Sequence, residues 1–157
     1  MKGKTAEYFS YFVHVFTFIL YFILIFVLDD PPAYRFLNIL GFVFLVLGVV
    51  FLVLSFFNHM QKTKQVGIFN SGVYGIVRHP MYLGAGLLFI AMACFLPIWV
   101  MVLLAAINVG LIFRFMLIEE GNNFKKFGDA YHAYMLQVPR VNFILGFFKW
   151  LKRRQKK

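Results

Sequence analysis

The stretch from Gly72 to Gly84, GVYGIVRHPMYLG, places an arginine, a histidine and two tyrosines in a chain that is mostly Phe, Leu, Val and Ile. Pro80 suits the first turn of a helix, because its missing N–H costs no hydrogen bond there. His79 would then lie at a helix N-terminus, where free N–H groups and the helix dipole favour an anion. The stretch therefore predicts a carboxylate or phosphate site. The alternative is that Arg78 and His79 only flank a membrane helix at headgroup level.

A second group of chemically capable residues is Arg114, Glu119 and Glu120. Arg114 falls inside a long apolar run, where an ionisable side chain is costly and often functional. It lies near the end of that run, so its charged head can also reach the interface. Glu119 and Glu120 are adjacent, so on a helix they point in different directions and cannot form a facing pair. One of them can turn towards a ligand while the other meets water or a cation.

The apolar runs around these residues predict an all-α integral membrane bundle. The chain has 157 residues, is 62% hydrophobic and has a mean hydropathy of +0.78. Runs of about 20 apolar residues are the length that a membrane-spanning helix needs. We expect about four transmembrane helices, at residues 9–28, 36–57, 82–96 and 98–118.

Helices three and four are expected to form a tight antiparallel hairpin, because only Pro97 and its neighbours separate them. Helix three would start on the side of the membrane to which helix four returns. The hairpin would therefore bring His79 and Tyr82 to the level of Glu119, at one mouth of the bundle.

The charge pattern orients the chain. Its 16 Lys and Arg residues outnumber 6 Asp and Glu, a net charge of +10. The cations concentrate in the N-terminus, the second loop and the tail, which predicts a multi-pass protein with both termini in the cytoplasm. No basic face lies on a soluble module, so we expect no nucleic-acid partner. Cys94 is the single cysteine, and we expect no metal site.

The remaining segments are read as parts of one domain. Residues 1–58 would form two N-terminal spans, 59–140 a ligand-binding core and 141–157 a basic interfacial tail. Within the core, a short amphipathic helix after Gly128 would carry Tyr131, Tyr134 and Met135 on one face. In the tail, Trp150 and its flanking cations are typical of a helix that lies in the headgroup region. Gly67, Gly72 and Gly75 do not match a Rossmann or P-loop pattern.

An ordered set of motifs carries a family resemblance. R-H-P-x-Y-x-G, an apolar hairpin, E-E, F-G-x-x-Y-x-x-Y and V-P-R follow one another within residues 59–140. This order resembles the C-terminal core of the isoprenylcysteine carboxyl methyltransferases and of related membrane phospholipid methyltransferases. The resemblance implies a single membrane methyltransferase domain that transfers a methyl group from S-adenosyl-L-methionine.

The resemblance also implies site residues by position. Those that would bind the cofactor are Val66, Gly67, Ile68, Phe69, Tyr74, His79, Pro80, Met81, Tyr82 and Glu119. Glu119 would pair with the donor's ammonium group, and the backbone N–H groups around His79 would take its carboxylate. Arg114 is the candidate for the family's functional arginine, one residue out of register, so the implied catalytic residues are Arg114 and Glu119. His59 occupies a position where the family can place a glutamine that touches the cofactor.

The implied acceptor is lipophilic, either an isoprenylcysteine-like carboxylate or a phospholipid amine, and would enter from the bilayer; a small thiol also stays open. No obligate protein partner is expected. The compact form predicts the cytoplasmic membrane of a prokaryote. Two other functions stay open: an NADPH-dependent membrane reductase, since sterol reductases resemble the same core, and a non-enzymatic membrane protein that keeps the fold.

Overall fold

A computed structural model describes residues 2–28, 35–62, 67–68 and 70–155. Within these ranges the chain is all-helical, as predicted from its apolar runs, with one short 3-10 turn at Gly72–Gly75. The α-helices are α1 (Lys2–Val27), α2 (Phe36–Lys62), α3 (Pro80–Phe95), α4 (Trp99–Phe127), α5 (Asp129–Gln137) and α6 (Phe143–Arg154).

Two segments are long and apolar enough to cross a bilayer, Phe36–Asn58 and Trp99–Phe127. Tyr11–Leu24 and Pro80–Phe95 are shorter apolar helices, so the count of four spans stays a prediction. Only 22% and 28% of the two most apolar windows are buried within the protein. Apolar side chains therefore cover most of the outer surface of these helices, as expected of helices that face lipid.

The described chain divides into two compact units, each built from two segments. The first consists of Met1–Leu47 and Gly86–Phe113. At its centre Asn108 is fully buried and donates hydrogen bonds to Thr17 Oγ1 at 2.9 Å and to the Leu104 carbonyl at 2.7 Å. Its Oδ1 also contacts the ring of His14. Such side-chain hydrogen bonds hold helices together where the surroundings are apolar.

The second unit consists of Gly48–Ala85 and Arg114–Lys157, and it contains every charged motif residue considered above. Within it, α3 approaches α2 closely at Gly84. A β-carbon at Gly84 would lie 2.8 Å from the Gly48 carbonyl oxygen and 3.0 Å from the Leu52 backbone nitrogen. Only glycine therefore allows this approach, because backbone atoms cannot rotate away as a flexible side chain can.

We predict that Gly84→Ala lowers the free energy of unfolding by about 1–3 kcal/mol, the usual cost of forcing extra atoms into a packed contact. Gly86→Ala is the matched control, because a β-carbon there meets nothing within 4 Å. Alanine is the better helix former, so the control should be neutral or slightly stabilising. Denaturant unfolding of both variants in detergent micelles measures the difference, and equal stabilities would contradict the packing described here.

Candidate functional site

The 3-10 turn at Gly72–Gly75 leads directly into the start of α3. The N–H groups of Ile76 and Val77 both donate to the Val73 carbonyl at 3.0 Å, which closes the turn. Gly72 has a φ of +58°, a conformation that favours glycine. The side chains of Val73 and Val77 are buried, so this loop packs against the unit and is not a solvated linker.

The V-P-R segment pairs with the same loop. The N–H groups of Arg78 and His79 donate to the carbonyls of Pro139 and Arg140 at 3.0 and 3.2 Å. The prediction that N–H groups around His79 are free for an anion is therefore wrong at these two positions. The reason is that the chain after α5 runs alongside the loop, and its carbonyl groups already accept hydrogen bonds from these two N–H groups.

Glu120 lies at the centre of a buried ion network. Its Oε2 accepts from Arg140 Nη2 at 2.6 Å, and its Oε1 lies 3.2 Å from Arg78 Nη1 and 3.1 Å from His79 Nε2. The side chains of Arg78 and His79 are only 8% and 3% exposed. The alternative that they merely flank a membrane helix at headgroup level is therefore wrong. They belong to the interior of the second unit.

Glu119 points elsewhere, as predicted for adjacent helical residues. Its side chain is 39% exposed, and its Oε2 lies 3.9 Å from His79 Nδ1. His79 thus has one carboxylate near each ring nitrogen. The predicted approach of His79 to the end of α4 is confirmed by these contacts. Glu119 is the carboxylate that remains accessible, whereas Glu120 is committed to the network.

A small cavity opens beside this network, within the second unit. Its volume is about 40 Å³, room for about three water molecules. The lining residues are Gly67, Ile68, Tyr74, Arg78, His79, Glu119, Asn123, Phe127, Tyr131 and Tyr134.

The tyrosines make one wall of this cavity neutral and aromatic. Burial raises the pKa of Tyr74, Tyr131 and Tyr134, so their phenols stay protonated at neutral pH. The Tyr134 hydroxyl donates to the Tyr74 carbonyl at 2.7 Å, which connects α5 to the 3-10 turn. Aromatic faces of this kind attract cations.

Arg78 also lines the cavity and has an unusual feature. Among the described residues its Nε is buried and has no hydrogen-bond partner. Buried donors are normally paired, and an unpaired one costs about 1–3 kcal/mol. An acceptor atom of a bound ligand would satisfy it. The cavity thus combines a partly exposed carboxylate, a guanidinium with an unpaired N–H and several aromatic rings.

The structure brings five of the predicted cofactor residues to the cavity, namely Gly67, Ile68, Tyr74, His79 and Glu119. Val66, Phe69 and the side chain of His59 lie outside the described residues.

The remaining predicted residues do not line the cavity. Pro80 is buried, and the Tyr82 ring packs at 5.6 Å from that of His79. Met81 is half exposed and lines a separate apolar groove on α2. Arg114 is exposed, and it lies about 140° around α4 from Glu119, five residues away.

Several residues that line the cavity were not predicted from the sequence. Asn123 and Phe127 follow Glu119 at four-residue intervals, so helical periodicity alone places them on its face. The amphipathic pattern predicts that Tyr131 and Tyr134 share one face of α5, but it does not predict that they line the cavity. Arg140 was part of a motif without an assigned role.

Comparison with known proteins identifies the class. The family model for phospholipid methyltransferases matches residues 36–130, more than half of the chain. The chain therefore belongs to the phospholipid methyltransferase family, a family of membrane methyltransferases, and the predicted resemblance is confirmed. Searches of curated proteins and of solved structures gave no match.

The ion network predicts the outcome of Glu120→Gln. Removing this charge leaves the buried guanidinium of Arg78 unneutralised, so we expect the free energy of unfolding to fall by about 3 kcal/mol. Glu119→Gln is the matched control, because its carboxylate is 39% exposed and its nearest partner in the network is His79 Nδ1, 3.9 Å away. Denaturant unfolding measures both, and a Glu120→Gln protein as stable as the control would contradict the network's structural role.

His79 predicts a pH dependence. Burial, aided by Arg78, lowers the pKa of His79 below its ordinary value of 6.5, outweighing the opposite effect of Glu119 and Glu120. Below that ordinary value the unfolded chain takes up a proton that the folded chain resists, so stability is lost as the pH falls.

We therefore expect the unfolding free energy to fall from about pH 7.5 to about pH 5.5 more steeply in the wild type than in His79→Gln, by at most about 1.4 kcal/mol per pH unit. Parallel pH profiles for the two proteins would rule out this role of the imidazole.

Proposed function

We propose that this protein transfers a methyl group from S-adenosyl-L-methionine to a phospholipid amine. The observation that carries the proposal is the cavity, most of whose lining lies in the family's matched segment and in which Glu119 and Arg78 meet a group of tyrosines. A methyl donor of this kind has an ammonium, a carboxylate and a sulfonium close together. The cavity offers a complementary group for each.

The residues fit the donor's amino-acid end. The accessible carboxylate of Glu119 suits the ammonium group, and the unpaired Nε–H of Arg78 suits the carboxylate. The neutral ring of Tyr74 suits the sulfonium through its negative face. Only the amino-acid end is assigned to these residues, because their charges and aromatic rings complement the groups at that end.

S-adenosyl-L-methionine, when bound, supplies an activated methyl group on its sulfonium. The protein's own contribution is to orient the donor and the acceptor and to exclude water, and it needs no covalent nucleophile. Methylation of an amine releases a proton. Glu119 is the accessible carboxylate of the cavity and is our candidate for the group that accepts this proton. A catalytic role for Arg114 stays a prediction.

The family description supports a phospholipid acceptor over an isoprenylcysteine-like carboxylate. Such an acceptor lies in the bilayer, and the long apolar helices α2 and α4 reach it there. We propose a multi-pass arrangement in a prokaryotic cytoplasmic membrane, with both termini and the cavity on the cytoplasmic face. The distribution of Lys and Arg supports this orientation.

We predict that the purified protein binds S-adenosylmethionine and its demethylated product, and that Glu119→Gln weakens both about tenfold, the effect expected from losing one charge-assisted hydrogen bond. Isothermal calorimetry in detergent measures the dissociation constants. The matched control is Asp129→Asn, because that carboxylate is exposed on α5 and does not line the cavity.

Two results would overturn this proposal. NADPH binding without any response to either methyl compound would favour the reductase. Failure to bind any of the three ligands by a folded protein would favour a non-enzymatic member of the family. If both carboxylate variants bound the donor as the wild type does, Glu119 would not be its ammonium partner.

A further inference from the structure

Helix α6 is docked on the loop that forms the cavity, through one of its faces. Arg153 Nη2 donates to the Gly75 carbonyl at 2.5 Å. A β-carbon at Gly146 would overlap the Ile76 carbonyl, so α6 lies directly against the backbone there. At the start of the helix Phe143 packs edge-on against Phe51 of α2, with ring centroids 5.6 Å apart. This docking face therefore contacts both the 72–77 loop and α2 within the second unit.

A second face of α6 is apolar and uncovered. Ile144 and Phe148 are 59% and 60% exposed, and Phe147 is 43% exposed. They lie within about 100° of arc on the helix, away from Gly146 and Arg153. Three exposed apolar side chains on one short helix form an apolar patch whose contact with water is unfavourable.

The third face of α6 carries exposed cations. Lys149 and Lys152 project from it, whereas Arg154 lies at the other border of the apolar face and stacks on the ring of Trp150 at 4.6 Å. The helix contains no Asp or Glu. Its charge is therefore unbalanced, and an anionic surface complements it.

The length of α6 decides between spanning and lying on a membrane. Its 12 residues extend about 18 Å, against a hydrocarbon core of about 30 Å. An apolar strip bordered by cations on a helix of this length is the pattern of a helix that lies in the plane of the interface. Anionic headgroups would meet the cations while the aromatic and aliphatic side chains enter the acyl region.

The docking contacts link this surface to the cavity. Gly75 and Ile76 follow Tyr74, whose carbonyl accepts the hydrogen bond from Tyr134, and precede Arg78. A helix held firmly at the interface would also hold these loop residues. A helix released from it would leave the backbone contacts at Gly75 and Ile76 unsupported.

We propose that α6 binds anionic phospholipid headgroups and that this contact stabilises the 72–77 loop in the arrangement that forms the cavity. The inference adds a lipid-binding surface distinct from the acceptor site. It does not depend on which ligand the cavity takes. Its consequence is that the site is best ordered in a leaflet that carries negative charge.

The test uses the full-length protein in nanodiscs of phosphatidylcholine alone and of phosphatidylcholine with phosphatidylglycerol, followed by amide hydrogen exchange. We expect α6 and residues 72–77 to exchange more slowly in the anionic discs. Lys149→Gln and Lys152→Gln should each reduce that protection, by roughly fivefold per cation removed. The matched control is Lys125→Gln, an exposed cation in the last turn of α4, and raising the salt concentration should mimic the α6 variants.

Three outcomes overturn the proposal. Equal exchange in the two kinds of disc would show that α6 does not sense anionic lipid. An equal effect of Lys125→Gln would assign it to overall charge and not to α6. Protection confined to α6, with residues 72–77 unchanged, would remove the link to the cavity. Failure to bind S-adenosylmethionine while the exchange pattern holds would contradict the proposed function and leave this inference standing.

Discussion

The buried carboxylate of Glu120 is the constraint on which the second unit depends. It sits near the end of α4 and meets Arg78 and His79 from the start of α3 and Arg140 from the segment after α5. A charge in so dry a position is tolerable only with partners that neutralise it. Each of these segments must therefore return to the same point. The backbone hydrogen bonds from Arg78 and His79 to the V-P-R segment also require that segment to lie beside the start of α3.

The groups that can bind a ligand beside that network are those that the network itself does not engage. Both carboxylate oxygens of Glu120 are engaged in the ion network. Its neighbour Glu119 instead faces the cavity with a partly exposed carboxylate. Arg78 has partners for only part of its guanidinium, and its Nε still needs an acceptor. The tyrosines of α5 and of the 3-10 turn line the cavity with neutral aromatic rings. A site with one accessible anion, one under-satisfied cation and aromatic faces suits a ligand that carries both charges.

Much of this arrangement was predictable, because the relevant signals are local. Apolar runs and prolines placed the helices, and the adjacency of Glu119 and Glu120 on a helix already required different environments for the pair. The partners of Glu120 were not predictable from periodicity, since Arg140 reaches it from twenty residues away along the chain. Helical spacing would have identified Asn123 as a neighbour of Glu119. The occupied N–H groups of Arg78 and His79 follow from a tertiary pairing that no local pattern encodes.

We propose that this cavity transfers a methyl group to a lipid amine. The most direct measurement supplies S-adenosylmethionine labelled in its methyl group to the wild-type protein in nanodiscs containing phosphatidylethanolamine, and then identifies the labelled lipid by mass spectrometry. We expect an N-methylated phospholipid, formed at a much lower rate by Glu119→Gln and at an unchanged rate by Asp129→Asn. No labelled lipid from a folded protein that binds the donor would contradict the proposed acceptor. An equal rate from the Glu119→Gln protein would contradict the proposed site.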